Sequence, residues 1–449
     1  MARTKDMTSG RPIGLILGFA VPILAGNLLQ QLYNLADSLI VGRILGVTAL
    51  AAVSASGWLD WAVLSVPMGL AQGFSIQAAQ CFGAGDRPAL RRTVGQSILL
   101  AVSATVLLEA VSQGILSPVL VLMNTPAETF ALTRGYLRII YAGLPVVMAV
   151  NVLNGFLHAL GNSRTPLMAL AASSVINMLL DWFFVGYCRM GISGGAYATV
   201  AAQAVSAAIS LQAVRRLKML HPGREDLRPD LKRIAKLIRL GVPIAFQNVI
   251  IAVGGLILQG VVNGFGFVFM AGYNAASRLQ GLVEMAGASL GSAVGTFAGQ
   301  NIGAGKKDRV RRSLGSSVWV ALGMALVIGG IMVLLGRQIL SLFIRDEKVP
   351  VREVLSFGYQ FLCVMAAGLP MLYMLFVHRS ALQGLGDTIV PMISGFVELG
   401  MRVGCALLLP SLLGVWGIYT AEIAAWIGAA VLLIICCYRR LDRIQVSVQ

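Results

Sequence analysis

Asn177 and Asp181 stand four residues apart inside the apolar run Met168–Tyr187. On a helix that spacing places one a turn above the other on the same face. A carboxylate with an amide beside it can hold a hard cation through oxygen, or take up and release a proton. The run is long enough to cross a bilayer, which takes roughly 20 apolar residues. An acid inside such a span costs on the order of 3 kcal/mol on insertion scales, a cost normally tolerated for an ion or proton pathway. The plainer alternative is an aspartate near the outer end of its helix that reaches interfacial water.

The chain that must position these residues is itself built for a membrane. It has 449 residues, 57% hydrophobic and 12% charged, with a mean hydropathy of +0.80. A soluble domain carries about 25% charged residues. No cleavable signal sequence is recognisable; the polar start with Arg3, Lys5 and Arg11 leads into a span that can direct insertion. The net charge of +16 invites a nucleic-acid partner, but its distribution argues otherwise. Loops on the amino-terminal side hold 25 of the 35 Lys and Arg. Eight lie on the opposite side, at Arg43, Arg134, Arg138, Arg189, Arg337, Arg345, Lys348 and Arg352, while Arg278 and Arg402 fall within spans. That bias puts both termini in the cytoplasm of a multi-pass cell-membrane protein and implies no nucleic-acid partner. None of the six cysteines forms a CxxC pair, so neither disulfides nor a metal site is expected.

Twelve apolar segments can be marked, approximately 13–34, 48–74, 93–114, 130–155, 164–186, 192–214, 238–262, 269–296, 313–335, 355–378, 388–410 and 414–437. The composition shifts once, between Arg215 and Arg239, a stretch rich in Arg and Lys. The expected organisation is an amino-terminal lobe (1–214), a basic cytoplasmic linker (215–237) and a carboxyl-terminal lobe with a short tail (238–449). A strip that binds lipid headgroups is compatible with the same linker.

The two halves repeat each other. Leu17-Gly18-Phe19-Ala20-Val21-Pro22 matches Leu240-Gly241-Val242-Pro243, with the prolines 221 residues apart. Gly83-Ala84-Gly85 matches Gly303-Ala304-Gly305 at 220, and each is followed by a basic pair, Arg91-Arg92 and Arg311-Arg312. Gly143-Leu144-Pro145 matches Gly368-Leu369-Pro370 at 225, as Leu160-Gly161-Asn162 matches Leu385-Gly386-Asp387. Gly191 and Gly414 open the last span of each half. Order and near-constant offset together mark a duplication. An even number of spans per half gives both the same orientation, related by an axis along the membrane normal, an arrangement suited to alternating access.

Twelve spans, the duplicated Gly-Ala-Gly loop, the Leu-Gly-Asn/Asp…Pro loop, Gln30-Gln31-Leu32-Tyr33-Asn34-Leu35-Ala36-Asp37 and Ala298-Gly299-Gln300-Asn301-Ile302-Gly303-Ala304 resemble the multidrug and toxic compound extrusion (MATE) transporters over essentially the whole chain. The likeness is to the branch of the DNA-damage-inducible and archaeal members. It implies an all-α membrane fold of two homologous six-helix bundles set in a V. It also implies export of organic cations or amphiphilic drugs by antiport with H+ or Na+, with no cofactor and as a monomer among membrane lipids. The resemblance assigns coupling to Asp37, Asn177, Asp181 and Thr199, with Asp37 and Asp181 as metal ligands if the ion is Na+. Tyr33, Asn34, Asn151, Asn154, Met178, Gln247 and Glu284 are the candidates for lining a substrate cavity.

Depth supports part of that grouping. Counting about 1.5 Å per residue from Arg164, Asn177 lies roughly 20 Å up and Asp181 roughly 25 Å up, while Thr199 lies about 12 Å below the opposite surface near Gly191. Asp37 reaches that depth only if its span is tilted, bent near Pro22 or starts later.

In the carboxyl-terminal half another branch of the family places acids in spans 7 and 10. Here span 7 offers Gln247, Asn248 and Gln259, and span 10 has no acid. Glu284 could meet a cationic substrate or pair with Arg278. Glu398 and Arg402, spaced i,i+4, read as an intrahelical ion pair. Rival functions are a flippase or exporter of a lipid-linked or metabolite substrate on the same fold, a channel, and a membrane enzyme. The last would need paired acids, a histidine cluster or a nucleophile near an interface. His158, His221 and His378 sit at unrelated positions, and no phosphate-binding GxxxxGK[ST] loop is present.

Overall fold

The computed structural model describes residues 4–123, 125–343 and 350–443. Arg3, Arg345 and Lys348, counted in the charge distribution above, lie outside them. The described chain is a succession of helices. They are α1 (Pro12–Leu45), α2 (Val47–Gly83), α3 (Arg87–Leu122), α4 (Ala127–Ala142), α5 (Leu144–Ala159), α6 (Arg164–Asp181) and α7 (Ile192–Arg215). After the linker come α8 (Leu231–Asn263), α9 (Phe267–Gly303), α10 (Lys307–Phe343), α11 (Val351–Gly384), α12 (Ile389–Leu408), the short α13 (Pro410–Leu413) and α14 (Val415–Arg443).

Among the described residues nine helical spans are long and apolar enough to cross a membrane, and the bent pair α4–α5 makes a tenth. α2 and α9 complete the twelve crossings. Each has 37 residues, about 55 Å of helix, but α9 carries Asn274, Arg278, Gln280 and Glu284, which lower its hydropathy.

The chain divides into two compact units. Unit 1 comprises Met1–Met7 and Val21–Phe246, unit 2 Thr8–Ala20 and Gln247–Gln449. The divisions fall inside α1, beside Pro22, and inside α8, shortly after Pro243. In unit 1, α2 packs on α3, α4 and α5, and α7 packs on α4, α5 and α6. In unit 2, α11 packs against α9, α10 and α14, and α14 against α12.

The duplication is written in the backbone. Gly46, Gly85, Gly161 and Gly191 have φ of 84°, 72°, 77° and 64°; Gly266, Gly305, Gly386 and Gly414 have 89°, 71°, 85° and 56°. Each pair sits at the same joint of its half, and the Gly46/Gly266 pair was not among the sequence matches. The joint after α5 and that after α11 share a second device. Asn162 Oδ1 accepts from the Thr165 amide at 3.0 Å, and Asp387 Oδ1 from the Val390 amide at 3.2 Å, each satisfying a free amide of the next helix.

The halves also differ. Gly143-Leu144-Pro145 breaks its span into α4 and α5, bent by 47°, whereas Gly368-Leu369-Pro370 lies inside the continuous α11. Gly143 faces Val200 of α7, while Gly368 faces Ile423 and Trp426 of α14. The same tripeptide takes two shapes against two sets of neighbours.

Close approach organises the centre of unit 2. Gly287, Gly291 and Gly295 recur every fourth residue on α9 and meet Tyr373, Phe376 and Ser380 of α11. A Cβ on Gly287 would lie 2.5 Å from Tyr373 Cδ1, so the helices could not come this near with larger residues.

The basic linker is tied down within unit 1. Gln96 of α3, 1% exposed, donates through Nε2 to the Asp226 and Arg228 carbonyls at 2.8 Å each and accepts from the Asp230 amide at 2.9 Å. Helix α8 starts at Leu231, so the end of the stretch read as linker is already helical.

Candidate functional site

In unit 1 three helices converge on the acid pair. The later part of α1 carries Tyr33 and Asp37, one turn apart. Asp181 is the last residue of α6, with Asn177 one turn before it; they are 0% and 1% exposed. Beyond Asp181 the span widens into a π-helical turn, Trp182–Tyr187, a local irregularity of the kind that often accompanies a functional site. Helix α7 supplies Thr199, and its Gly195 leaves room beside Asp181, since a Cβ there would sit 3.8 Å from Oδ1.

The side chains of Asp37 and Asp181 come within hydrogen-bond reach of each other. Two carboxyl groups this near can hydrogen-bond when a proton is held between them, because an ionised carboxylate is purely an acceptor. The Tyr33 side chain hydrogen-bonds Thr199. Tyr136 of α4 lies in the electrostatic reach of Asp37, Asp181 and Tyr33. The arrangement can hold one proton or a small cation among oxygen atoms from α1, α6 and α7.

A cavity of about 310 Å³ opens in the same unit, lined by Asn27 and Gln30 of α1, Met68 of α2, Asn151, Asn154 and His158 of α5, Ser173 of α6 and Gln203 of α7. Gln30 lies seven residues before Asp37 on α1, roughly 10 Å along the helix. Asn151 donates to the Val147 carbonyl at 2.9 Å, and Asn154 Oδ1 accepts from Ser210 Oγ at 2.8 Å. Tyr33, Asn34 and Met178 are not among the residues that line it; Asn34 is exposed and Met178 is 37% exposed.

Unit 2 holds a separate buried charge network. Arg379 of α11 donates to Glu398 Oε2 of α12. Arg402 of α12 reaches Glu422 of α14 at 3.0 Å and Glu398 at 3.9 Å. The expected intrahelical pair Glu398–Arg402 is therefore the longest link of the chain, and each partner has a nearer one on another helix. Arg379, placed in a cytoplasmic loop by the sequence, is 8% exposed within α11, buried like Arg402, whereas Arg278 is exposed. Glu284 accepts from Gln280 Nε2 at 2.8 Å, and its charged neighbours are Glu422, Arg402 and Glu398 rather than Arg278. Gln247 is 2% exposed and accepts from Gln383 Nε2 at 3.3 Å.

Sequence reasoning missed Asp60 and Tyr136 in unit 1 and the partner of Arg379 in unit 2. Asp60, an ionisable residue in an apolar span, carried the same signal as Asp181.

The signature of the MatE family matches residues 22–183 and 243–408, once in each half. The chain belongs to the MatE family. Among relatives of this MatE protein, the probable multidrug resistance protein YoeA of Bacillus subtilis is 30% identical over 430 residues, 90% of each chain. The FAD transporter of Shewanella oneidensis is 26% identical over 352 residues, 77% of each chain. A crystallised MOP-superfamily transporter from Pyrococcus furiosus superposes with a TM-score of 0.90 at 22% identity, over 98% of this chain and 99% of that one. MATE chains are transporters, not enzymes, and this one is a multi-pass membrane protein.

Proposed function

We propose that this MATE protein exports small organic cations and amphiphilic drugs across the cell membrane, with both termini cytoplasmic, in exchange for inward H+ or Na+. The observation that carries the reading is the approach of the half-buried Asp37 to the buried Asp181 in unit 1, beside Asn177, Thr199 and Tyr33. A proton between the carboxyls, or Na+ ligated by them with Asn177 and Thr199, neutralises charge that a cationic substrate would otherwise satisfy. Ion and substrate then oppose each other, which is the thermodynamic requirement for exchange. The name of the Bacillus subtilis relative agrees with this substrate class. The protein acts as a monomer, since the pair is complete within one chain.

A second reading is export of an anionic metabolite or lipid-linked precursor, favoured by the Shewanella relative and by the buried arginines of unit 2. Arg379 and Arg402 are each matched by a glutamate, so no net positive charge is left for an anion, and the cationic substrate is preferred.

Efflux of a fluorescent organic cation from proteoliposomes, under an imposed Na+ gradient, a pH gradient or neither, tests the proposal with the natural chain and Asp181→Asn. Efflux driven by one gradient and lost in the variant supports antiport and names the ion. Absence of driven efflux from folded natural protein favours the anionic or lipid-linked substrate.

A further inference from the structure

Unit 2 carries a basic hollow that neither the carboxyl pair nor the buried ion network uses. A cavity of about 960 Å³ opens between the start of α1 and the start of α10. Arg11, Lys306, Lys307, Arg309 and Arg312 line it, and Asp308 is the one acid among the described residues around it. The two halves of the chain differ at this joint. In unit 1 Asp86 precedes α3 and accepts from the Ala89 amide at 2.9 Å, whereas unit 2 has Lys306 at the matching position.

Part of the cluster is held in place. Lys306 Nζ donates to the Thr8 carbonyl at 2.9 Å, and Lys307 Nζ to the Asp442 carbonyl at 3.2 Å. Arg309 donates to the Gly10 carbonyl at 2.7 Å and lies 5.4 Å from the centroid of the Phe297 ring. A carbonyl or a ring positions a cation without cancelling its charge. Arg11, Lys306 and Arg312 are exposed, and none of the three pairs with a carboxylate among the described residues. An anion is what the hollow lacks.

The hollow runs on into an apolar face. Both α1 and α10 are long and apolar enough to cross a membrane, so their first turns stand where a helix enters the hydrocarbon. On α10, Arg312, Ser316, Trp319, Gly323 and Leu326 follow at steps of three and four, which puts them on one side of the helix. Arg312 and Ser316 line the cavity, while Trp319 is 76% and Leu326 72% exposed. A Cβ on Gly323 would meet nothing within 4 Å, so the face is open beside Trp319. Ile13 and Gly14 of α1, also exposed, form the opposite wall of the cavity. Ser316 to Leu326 is roughly 15 Å of helix, one leaflet of the hydrocarbon core. A soluble anion would use the charged mouth alone; a lipid uses the mouth and the face below it.

We propose that this hollow binds the headgroup of an anionic phospholipid, with Arg11, Lys306 and Arg312 meeting its phosphate and its acyl chains lying along α10 past Trp319. The phosphate then bridges α1 to α10 within unit 2. Neither the exported substrate nor the coupling ion enters this inference.

The test is quenching of Trp319 fluorescence by lipids with brominated acyl chains. The full chain is placed in phosphatidylcholine bilayers that contain a small fraction of brominated phosphatidylglycerol or, in a parallel set, of brominated phosphatidylcholine. Trp319→Phe in each set separates the Trp319 signal from that of the other tryptophans. Phosphatidylglycerol should quench Trp319 at a fraction about tenfold lower than phosphatidylcholine does. Arg312→Gln and Lys306→Gln should each raise the phosphatidylglycerol fraction needed by about fivefold, the effect of one basic side chain at an anionic membrane surface. Arg224→Gln, the same change in the basic linker, should leave it where it was. Equal quenching by the two lipids overturns the proposal. So does a preference that Arg224→Gln weakens as much as Arg312→Gln, because that marks a diffuse field and not a site. Relief of the quenching by millimolar glycerol phosphate would assign the hollow to a soluble phosphate and overturn the lipid. If Arg312→Gln fails to fold, an unchanged preference in Lys306→Gln overturns it.

Discussion

Asp37 at the later end of α1 and Asp181 at the last residue of α6 bring their carboxyl groups within hydrogen-bond reach, although most of the first half of the chain separates them. A hydrogen bond between two carboxyls needs a shared proton, and that is the basis of the exchange proposed above. Asp37→Asn and Asp181→Asn should each keep the packing, since an amide can replace a neutral carboxyl. Gradient-driven efflux from proteoliposomes should fall by roughly 5–150-fold, the range expected when a coupling free energy of about 1–3 kcal/mol is removed. Driven efflux at the natural rate from both variants would contradict the assignment.

The buried pair Arg379–Glu398 should behave as a structural unit. Arg379→Met alone strands a carboxylate in the interior and should cost about 3–5 kcal/mol, whereas Arg379→Met with Glu398→Leu should recover much of that. Arg402 would lose its weaker partner, at 3.9 Å, but keep Glu422. A double-mutant cycle on denaturation in detergent measures the difference, and strictly additive losses would show that the pair is not coupled.

Gly287 and Gly323 make a matched comparison. A Cβ at Gly287 meets the Tyr373 ring at 2.5 Å, while at Gly323 it meets nothing within 4 Å. Gly287→Ala should therefore destabilise by about 1–3 kcal/mol through overpacking. Gly323→Ala should stabilise its helix by roughly 0.5–1 kcal/mol. Melting of the two variants in the same detergent decides it; equal behaviour would mean that the α9–α11 crossing yields freely.

Gly85 and Gly305 have φ of 72° and 71°, with open space where a Cβ would go. Any cost of Gly85→Ala or Gly305→Ala is thus a backbone cost, about 1–2 kcal/mol, and should be the same at both joints. Unequal losses would show that the joints are not equivalent.

Gln96 holds three backbone groups of the linker with one side chain. Gln96→Leu should leave those groups wanting, at about 1–3 kcal/mol, and speed tryptic cleavage near Arg224 and Arg228. Cleavage at the natural rate would mean that the linker is held elsewhere.

Much of this protein was legible in one dimension. Apolar length marked the crossings, because a bilayer fixes how many residues a helix needs. The duplication was legible where it depends on local chemistry, at glycines that take positive φ and at Asn162 and Asp387, which cap the following helix. Asp181 announced itself because an acid is costly in a span. Tertiary structure decided the rest. It broke the span at Gly143-Leu144-Pro145 and left the helix unbroken at Gly368-Leu369-Pro370, where the neighbours, on α7 and α14, differ. It gave Glu398 and Arg402 closer partners than each other, because i,i+4 spacing says which residues can meet along one helix and nothing about who arrives from the next. It brought Tyr136 within electrostatic reach of Asp60 and of the Asp37–Asp181 pair, through the packing of α4 on α2 and α7. The sequence by itself determined which groups are costly in a membrane; only the packing of helices decided which of them meet.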